Sequence, residues 1–288
     1  MATQWFPEEQ LALATTVGSL ANPLGCILGM VLAPFFVNNT HHEKEDVNDL
    51  LVAHALIATI VSIPILIFYK ERPEHFPSEA AKNTQNTKFN FMKDVRELVA
   101  NPNYVWITMV FASLYGVYTS LGALINPLVQ PYKFDTSDCS VIGATFITSG
   151  LVGSFFFGFL LDKYQKYLLV LRIVCFGTLF ASLFVFLTLP SEQMIPFDIN
   201  IAVMGFFILP IIPVGFSFSI ELTFPVSEAM SNGVIMLFSQ IVGTGVTYVS
   251  TNLIAQSPFS GLYLFAGMIA FSCFCSLMIK EDLRRINM

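Results

Sequence analysis

Residues 139–189 read CSVIGATFITSGLVGSFFFGFLL, then DKYQK, then YLLVLRIVCFGTLFASLFVFLTL. Two long apolar runs joined by a few polar residues decide the fold. A helix rises about 1.5 Å per residue, so roughly 20 apolar residues cross about 30 Å of hydrocarbon. The same pattern repeats outward in both directions. Runs without interior charge occupy about 11–37, 51–69, 104–127, 139–161, 167–189, 199–220, 231–254 and 259–279. Only one of them holds a charge, Arg172 near its end, where a long side chain reaches the interface. A charge at mid-bilayer costs roughly 2.5–3.5 kcal/mol, while each Leu, Ile, Val or Phe returns roughly 0.3–0.6. Strands of a membrane barrel alternate over about ten residues and do not produce such runs. The expected fold class is all-α: a multi-pass transmembrane bundle of about eight spans.

Composition agrees. Of 288 residues, 55% are hydrophobic, 12% are charged and 29 are Phe, and the mean hydropathy is +0.67. A soluble domain carries charge on roughly a quarter of its positions. The net charge of −6 leaves no basic face for nucleic acid. Five cysteines, mostly inside apolar runs, do not make a disulfide framework.

Lys and Arg set the orientation. Twelve of the 14 fall in one set of connectors: Lys70, Arg72, Lys82, Lys88, Lys93, Arg96, Lys163, Lys166, Arg172, Lys280, Arg284 and Arg285. Lys44 and Lys133 occupy the other set. The first set is expected to be cytosolic, with both termini. The choice between plasma membrane and internal organelle stays open. No secretory signal precedes the first run, which follows a polar stub, Met1–Gln10.

Spacing divides the chain. Residues 1–70 hold two spans and 104–288 hold six. Between them, 71–103 is a cytosolic linker, flexible over PSEAAKNTQNTK (77–88). Phe91, Val95, Leu98 and Val99 then recur at helical spacing among charges, which predicts a short helix on the membrane surface.

Several short blocks carry a resemblance. Gly158-Phe-Leu-Leu-Asp162-Lys163-Tyr-Gln-Lys166 resembles the glycine–acid–base signature of the major facilitator superfamily, in its second-half copy. Gly158 lets helices approach, and Asp162 suits a pairing with a basic group or a helix N-terminus. The alternative is an ordinary helix end. Trp5-Phe-Pro-Glu8, Ala21-Asn-Pro-Leu-Gly25, Gly143-Ala-Thr-Phe-Ile-Thr148 and Glu221-Leu-Thr-Phe-Pro-Val-Ser-Glu228 with Gln240 resemble solute carrier family 49. This is the group of the feline leukaemia virus subgroup C receptor-related transporters; the Asn-Pro-Leu-Gly and Phe-Pro-Val forms are most similar to its major facilitator superfamily domain-containing protein 7 type. The resemblance implies spans five to twelve of a twelve-span fold, the first four being absent. It also implies transport of a small organic solute; choline, ethanolamine and haem are the family's associated substrates.

Such transporters bind near the midplane between their halves. Polar stripes at helical spacing mark the candidates: Tyr115, Tyr118, Thr119, Gly122 and Asn126 on one span, Gln240, Gly243, Thr244, Thr247, Tyr248 and Thr251 on another. A third span offers Gly18, Asn22, Gly25 and Gly29. The expected substrate contacts are Asn22, Tyr118, Thr119, Asn126 and Gln240. Aromatic faces attract cations, so a quaternary ammonium suits this lining. By the resemblance, Gln240 matches a glutamine of the choline carriers, whereas Pro23 stands where they have glutamine and Thr119 where they have tyrosine. The competing reading gives each Tyr and Thr a bond to backbone or a neighbouring helix. Gly25-x-x-x-Gly29 reads as helix packing. The expected gate comprises Gly158, Asp162, Lys163, Glu221 and Glu228.

No Asp or Glu lies inside the eight runs, which predicts facilitated diffusion rather than proton coupling. Paired aspartates, a Ser/His pair and a zinc site at depth are missing, so the protein is not expected to be an enzyme or to hold a metal or cofactor. His41-His42-Glu43 is read as incidental loop sequence, and Asn38-Asn39-Thr40 as a glycosylation acceptor motif on an outer loop close to the membrane. The rival to a carrier is a non-transporting receptor or assembly partner, whose missing wall is a four-span segment or an oligomer partner.

Overall fold

The computed structural model describes residues 5–6, 10–36, 43–68, 91–132, 134 and 136–280. Within these the chain is a multi-pass helical bundle: α1 (Leu11–Phe36), α2 (Glu43–Phe68), α3 (Phe91–Ala100), α4 (Pro102–Val129), α5 (Thr136–Tyr164), α6 (Tyr167–Thr188), α7 (Met194–Ile208), α8 (Ile211–Thr223), α9 (Glu228–Gln256) and α10 (Pro258–Met278). Seven stretches are long and apolar enough to cross a membrane, α7 and α8 counting together as Met194–Thr223. In α1 the described apolar part, Leu13–Gly29, is shorter. The flexible linker, Asn38–Thr40 and His41-His42 lie outside the described residues.

Local chemistry explains the helix ends. Asn101 caps α4, its side-chain oxygen accepting from the N–H groups of Asn103 at 3.1 Å and Tyr104 at 3.4 Å. Pro102 follows at the first helical position, where a missing N–H costs nothing. Ser227 caps α9 by accepting from the N–H of Met230. Pro210 has no N–H to continue the ladder, so α7 stops at Ile208 and α8 restarts at Ile211. Pro64 lies inside α2 without ending it.

The helices outrun the apolar runs. Asp198 and Glu221 belong to the span Met194–Thr223, and Asp162 to Asp138–Tyr164. This corrects the expectation of acid-free spans. A 30-residue span is about 45 Å long, so its outer turns lie in the interface, where carboxylates are tolerated. Asp198 sits in such a turn, accepting from the Thr145 hydroxyl at 3.4 Å.

Close contact rather than water exclusion holds helices together in lipid, so small residues mark the seams. A Cβ added at Gly153 would overlap the Phe206 carbonyl, and one at Gly205 the Phe146 carbonyl, so α5 and α7 touch backbone to backbone. At the crossing of α4 and α9, a Cβ on Gly116 would lie 3.3 Å from Cα of Gly243. Cys175, Cys273 and Cys275 are buried in the α6–α10 region. Arg172 donates to the Ser276 carbonyl at 3.4 Å, covering the last turn of α10. The predicted surface helix is α3, which buries Leu98 and exposes Phe91 and Val99. By contrast, the apolar stretch of α2 buries none of its residues.

Candidate functional site

Lys163 in the last turn of α5, Lys166 just before α6 and Lys280 after α10 gather at one end of the bundle. At this basic end α1 is fastened to α5. The Asp162 carboxylate accepts the backbone N–H of Leu13 at 2.8 Å, in the first turn of α1. A helix N-terminus carries unpaired N–H groups and a partial positive charge, so a carboxylate there satisfies both. One turn deeper, a Cβ on Gly158 would lie 2.5 Å from the Thr16 hydroxyl, which is why the helices approach so closely here. Lys163 does not join this contact: it is exposed, with Nζ 5.4 Å from the Tyr164 ring centre. Glu221 is buried at the end of α8, and Glu228 opens α9. The structure thus brings Gly158 and Asp162 together against α1.

The α8–α9 junction is tied to the start of α4. Asn101 donates to the Leu222 carbonyl at 2.9 Å, and the Tyr104 hydroxyl to the Ser231 carbonyl at 2.6 Å. The sequence reading passed over Asn101; the Asn-Pro pair before an apolar run was its available signal.

At the bundle's centre, the expected stripe of α4 divides. Tyr115 and Tyr118 have buried rings, 7% and 8% exposed. Gln240 on α9 is exposed. No described residue hydrogen-bonds the Tyr118 hydroxyl. Cys26 of α1 is exposed and was not among the expected contacts. Asn22, also exposed, stands one turn away on the same face of α1. Asn126 is exposed towards the far end of α4, where the Cys139 thiol donates to it at 3.7 Å.

The threonines bond within their own helices, and the Thr247 hydroxyl also meets that of Ser120 on α4 at 2.7 Å. Thr119 donates to the carbonyls of Tyr115 and Gly116 at 3.0 and 3.2 Å, and Thr244, Thr247 and Thr251 each bond the carbonyl four residues back. Their oxygens remain acceptors. Gly18, Gly25 and Gly29 have open space where a Cβ would stand. Among the described residues the packing expected of Gly25 and Gly29 is therefore not made.

An aromatic ladder runs through this region. Phe216 stacks on Phe111 at 5.2 Å, Phe111 on Tyr115 at 5.7 Å, Tyr115 tilts against Tyr118 at 5.9 Å, and Tyr118 stacks on Phe146 at 6.0 Å. Its first rung, Phe216, lines a cavity of about 900 Å³ between α1, α8 and α9 towards the basic end. Trp5, Phe6, Phe68, Glu228 and Asn232 also line it.

A span-forming bundle latched through a glycine and an acid at one end, with aromatic and amide groups at its centre, is the build of a membrane carrier. The chain belongs to the major facilitator superfamily, whose family profile matches residues 1–246. Among its relatives, the choline/ethanolamine transporter FLVCR1 of Felis catus is 29% identical over 301 residues, covering 100% of this chain and 53% of the relative. The uncharacterized MFS-type transporter C09D4.1 of Caenorhabditis elegans is 27% identical, covering 99% and 50%. The human choline/ethanolamine transporter FLVCR2 is 26% identical, covering 99% and 56%. These relatives bear out the resemblance to solute carrier family 49. The chain spans about half the length of the relatives it matches.

Proposed function

We propose that the protein carries a small organic cation of the choline or ethanolamine type across a membrane by alternating access. The observation that carries this reading is Tyr118, a buried ring beside Tyr115 whose hydroxyl has no hydrogen-bond partner among the described residues. Aromatic faces attract an ammonium group by ~0.5–2 kcal/mol without a formal charge. Gln240 and Asn22 then orient a hydroxyl or amine, and the Thr119 oxygen accepts from it. Gly158 and Asp162 close the basic end, taken as cytosolic from the distribution of Lys and Arg, as are both termini. Asn126 marks the opposite mouth. Lys163, Glu221 and Glu228 are proposed as further charged members of that gate. The two units, 1–70 and 104–288, move against each other about the linker.

Transport is proposed to be facilitative. Asp198, the acid in the α7–α8 span away from the basic end, lies in an outer turn against α5 and not beside Tyr118. Uptake of labelled choline into proteoliposomes tests the reading. Saturable uptake that ignores imposed pH and Na⁺ gradients supports it, and strong dependence on either gradient overturns the facilitative part.

The wholly exposed apolar stretch of α2 supports a second reading. In it, the chain is an assembly partner or receptor whose α2 is covered by a preceding segment or a second copy. Uptake only after such a segment is restored would favour it.

A further inference from the structure

α4 and α9 lie side by side in one register. The Tyr104 hydroxyl meets the Ser231 carbonyl, and the Ser120 hydroxyl meets that of Thr247, each pair 127 positions apart. Gly116 and Gly243, whose backbones lie against each other, keep the same separation. Partners advance together along both helices, so the two run parallel. In this register they begin and end together to within a residue, Pro102–Val129 beside Glu228–Gln256. Gln240 and Thr244 of α9 then fall on either side of the height of Tyr115 on α4. A slip of one turn would carry them about 5.4 Å away, beyond the reach of a hydrogen bond.

The hydroxyl pair is the polar part of this seam. Ser120 is wholly buried, and 2.7 Å separates its oxygen from that of Thr247. Thr247 also bonds the Gly243 carbonyl at 2.9 Å. A carbonyl only accepts, so the single Thr247 proton points there and Ser120 is the donor across the seam. Neighbouring hydroxyls behave otherwise. Those of Ser113, Thr119 and Thr244 turn back onto carbonyls of their own helices, whereas that of Ser120 makes no such bond among the described residues. The chain from Ser120 through Thr247 ends on the glycine that meets Gly116, and hydrocarbon supplies no water to compete with it. We propose that Ser120 and Thr247 are positioning residues that set solute specificity, holding Gln240 in register with the rings of Tyr115 and Tyr118. The inference rests on the reading that the solute is an organic cation of the choline type. The rings, on α4, take the ammonium group, and Gln240, on α9, takes the hydroxyl. A slipped α9 loses the hydroxyl contact and keeps the ring contact.

Two solutes separate these contacts: choline carries the hydroxyl, and tetramethylammonium lacks it. Uptake of labelled choline by the full chain in proteoliposomes gives KM and Vmax, and inhibition by tetramethylammonium gives the affinity for the bare ammonium group. Ser120→Ala and Thr247→Val should each raise the choline KM about fivefold, the size of one lost hydrogen bond. Vmax and the tetramethylammonium affinity should stay within about twofold of the parent, since the rings are untouched. Thr247→Ser, which retains the hydroxyl, should restore the parent KM. Thr247→Val keeps the branched shape, so it carries the test should Ser120→Ala fold poorly. The double variant should match either single one, because both remove the same bond. Parent KM in both single variants, equal weakening of the two solutes, a Thr247→Ser as impaired as Thr247→Val, or additive losses in the double variant would each overturn the role of the pair while leaving the transport reading intact. A parent chain without saturable choline uptake would instead overturn the transport reading, and the role of the pair with it.

Discussion

The Oδ2 atom of Asp162 accepts the backbone N–H of Leu13 at 2.8 Å, joining the last turn of α5 to the first turn of α1 across 149 positions of sequence. One turn away Gly158 gives α1 room to lie against α5, with Thr16 in the space a side chain would fill. Further along α1, Gly18, Gly25 and Gly29 face open space. In the proposed cycle this fastening is the closed state of the basic-end gate.

Gly158→Val should pry that gate open. Its side chain cannot share space with Thr16, and overpacking of this kind costs roughly 1–3 kcal/mol. Asp162→Asn keeps an acceptor and loses the charge, so its effect should be smaller, about 0.3–1 kcal/mol. Maleimide labelling of a cysteine placed at Thr16 reads both: fast with Gly158→Val, intermediate with Asp162→Asn, slow in the parent. Equal rates would show that the contact is not a latch.

At Tyr118 the ring matters more than the hydroxyl. Tyr118→Phe should keep choline uptake within a few fold, whereas Tyr118→Ala should raise KM by about tenfold, the loss of a desolvated cation–ring contact. Uptake kinetics in proteoliposomes decide it. A larger loss with Phe than with Ala would mean that the hydroxyl, not the ring face, holds the solute.

Asn101 does two jobs, and two substitutions separate them. Asn101→Asp keeps the cap on Asn103 and Tyr104 but cannot donate to the Leu222 carbonyl. Asn101→Ala loses both, about 1 kcal/mol for the cap and about 1–3 kcal/mol for a buried carbonyl left unmet. Thermal melting in detergent should rank parent, then Asp, then Ala. If Ala melts with the parent, the junction does not depend on Asn101.

At the α4–α9 crossing an added Cβ on Gly116 meets the Gly243 backbone at 3.3 Å, whereas one on Gly243 first meets the Thr119 hydroxyl, a side-chain atom, at 3.2 Å. Gly243→Ala should therefore be tolerated after a small shift. Gly116→Leu should separate the helices, lowering the melting temperature and the yield of folded protein by the roughly 1–3 kcal/mol of an overpacked seam. Size-exclusion profiles of the two variants check the order.

Much of this architecture is legible in the sequence because lipid imposes a simple rule on it. The eight apolar runs lie within the helical stretches to a few residues, since charge is expelled from hydrocarbon. Gly158 and Asp162 could be read as a pair because both lie at one helix end with a turn between them. What lay hidden depended on partners. Asn22 and Cys26 share a face of α1, and nothing in a stripe says which residue would stand opposite the phenols of α4. The threonines looked like ligands, but in a helix their hydroxyls reach the carbonyl four residues back. Asp198 escaped because a helix continues through the interface after the apolar run stops. The Phe216–Phe111 rung joins residues about a hundred positions apart, beyond any local pattern.

The central claim is that a cation binds at the Tyr115–Tyr118 pair, with the face of α1 that carries Asn22 and Cys26 proposed as its opposite wall. Cys26 is the exposed cysteine, whereas Cys139, Cys175, Cys273 and Cys275 are buried. The rate of maleimide alkylation at Cys26, with and without choline, therefore measures occupancy of that space. Choline should slow alkylation in a saturable way, and Tyr118→Ala should abolish the protection. Alkylation that proceeds at one rate whatever the choline concentration would contradict the account.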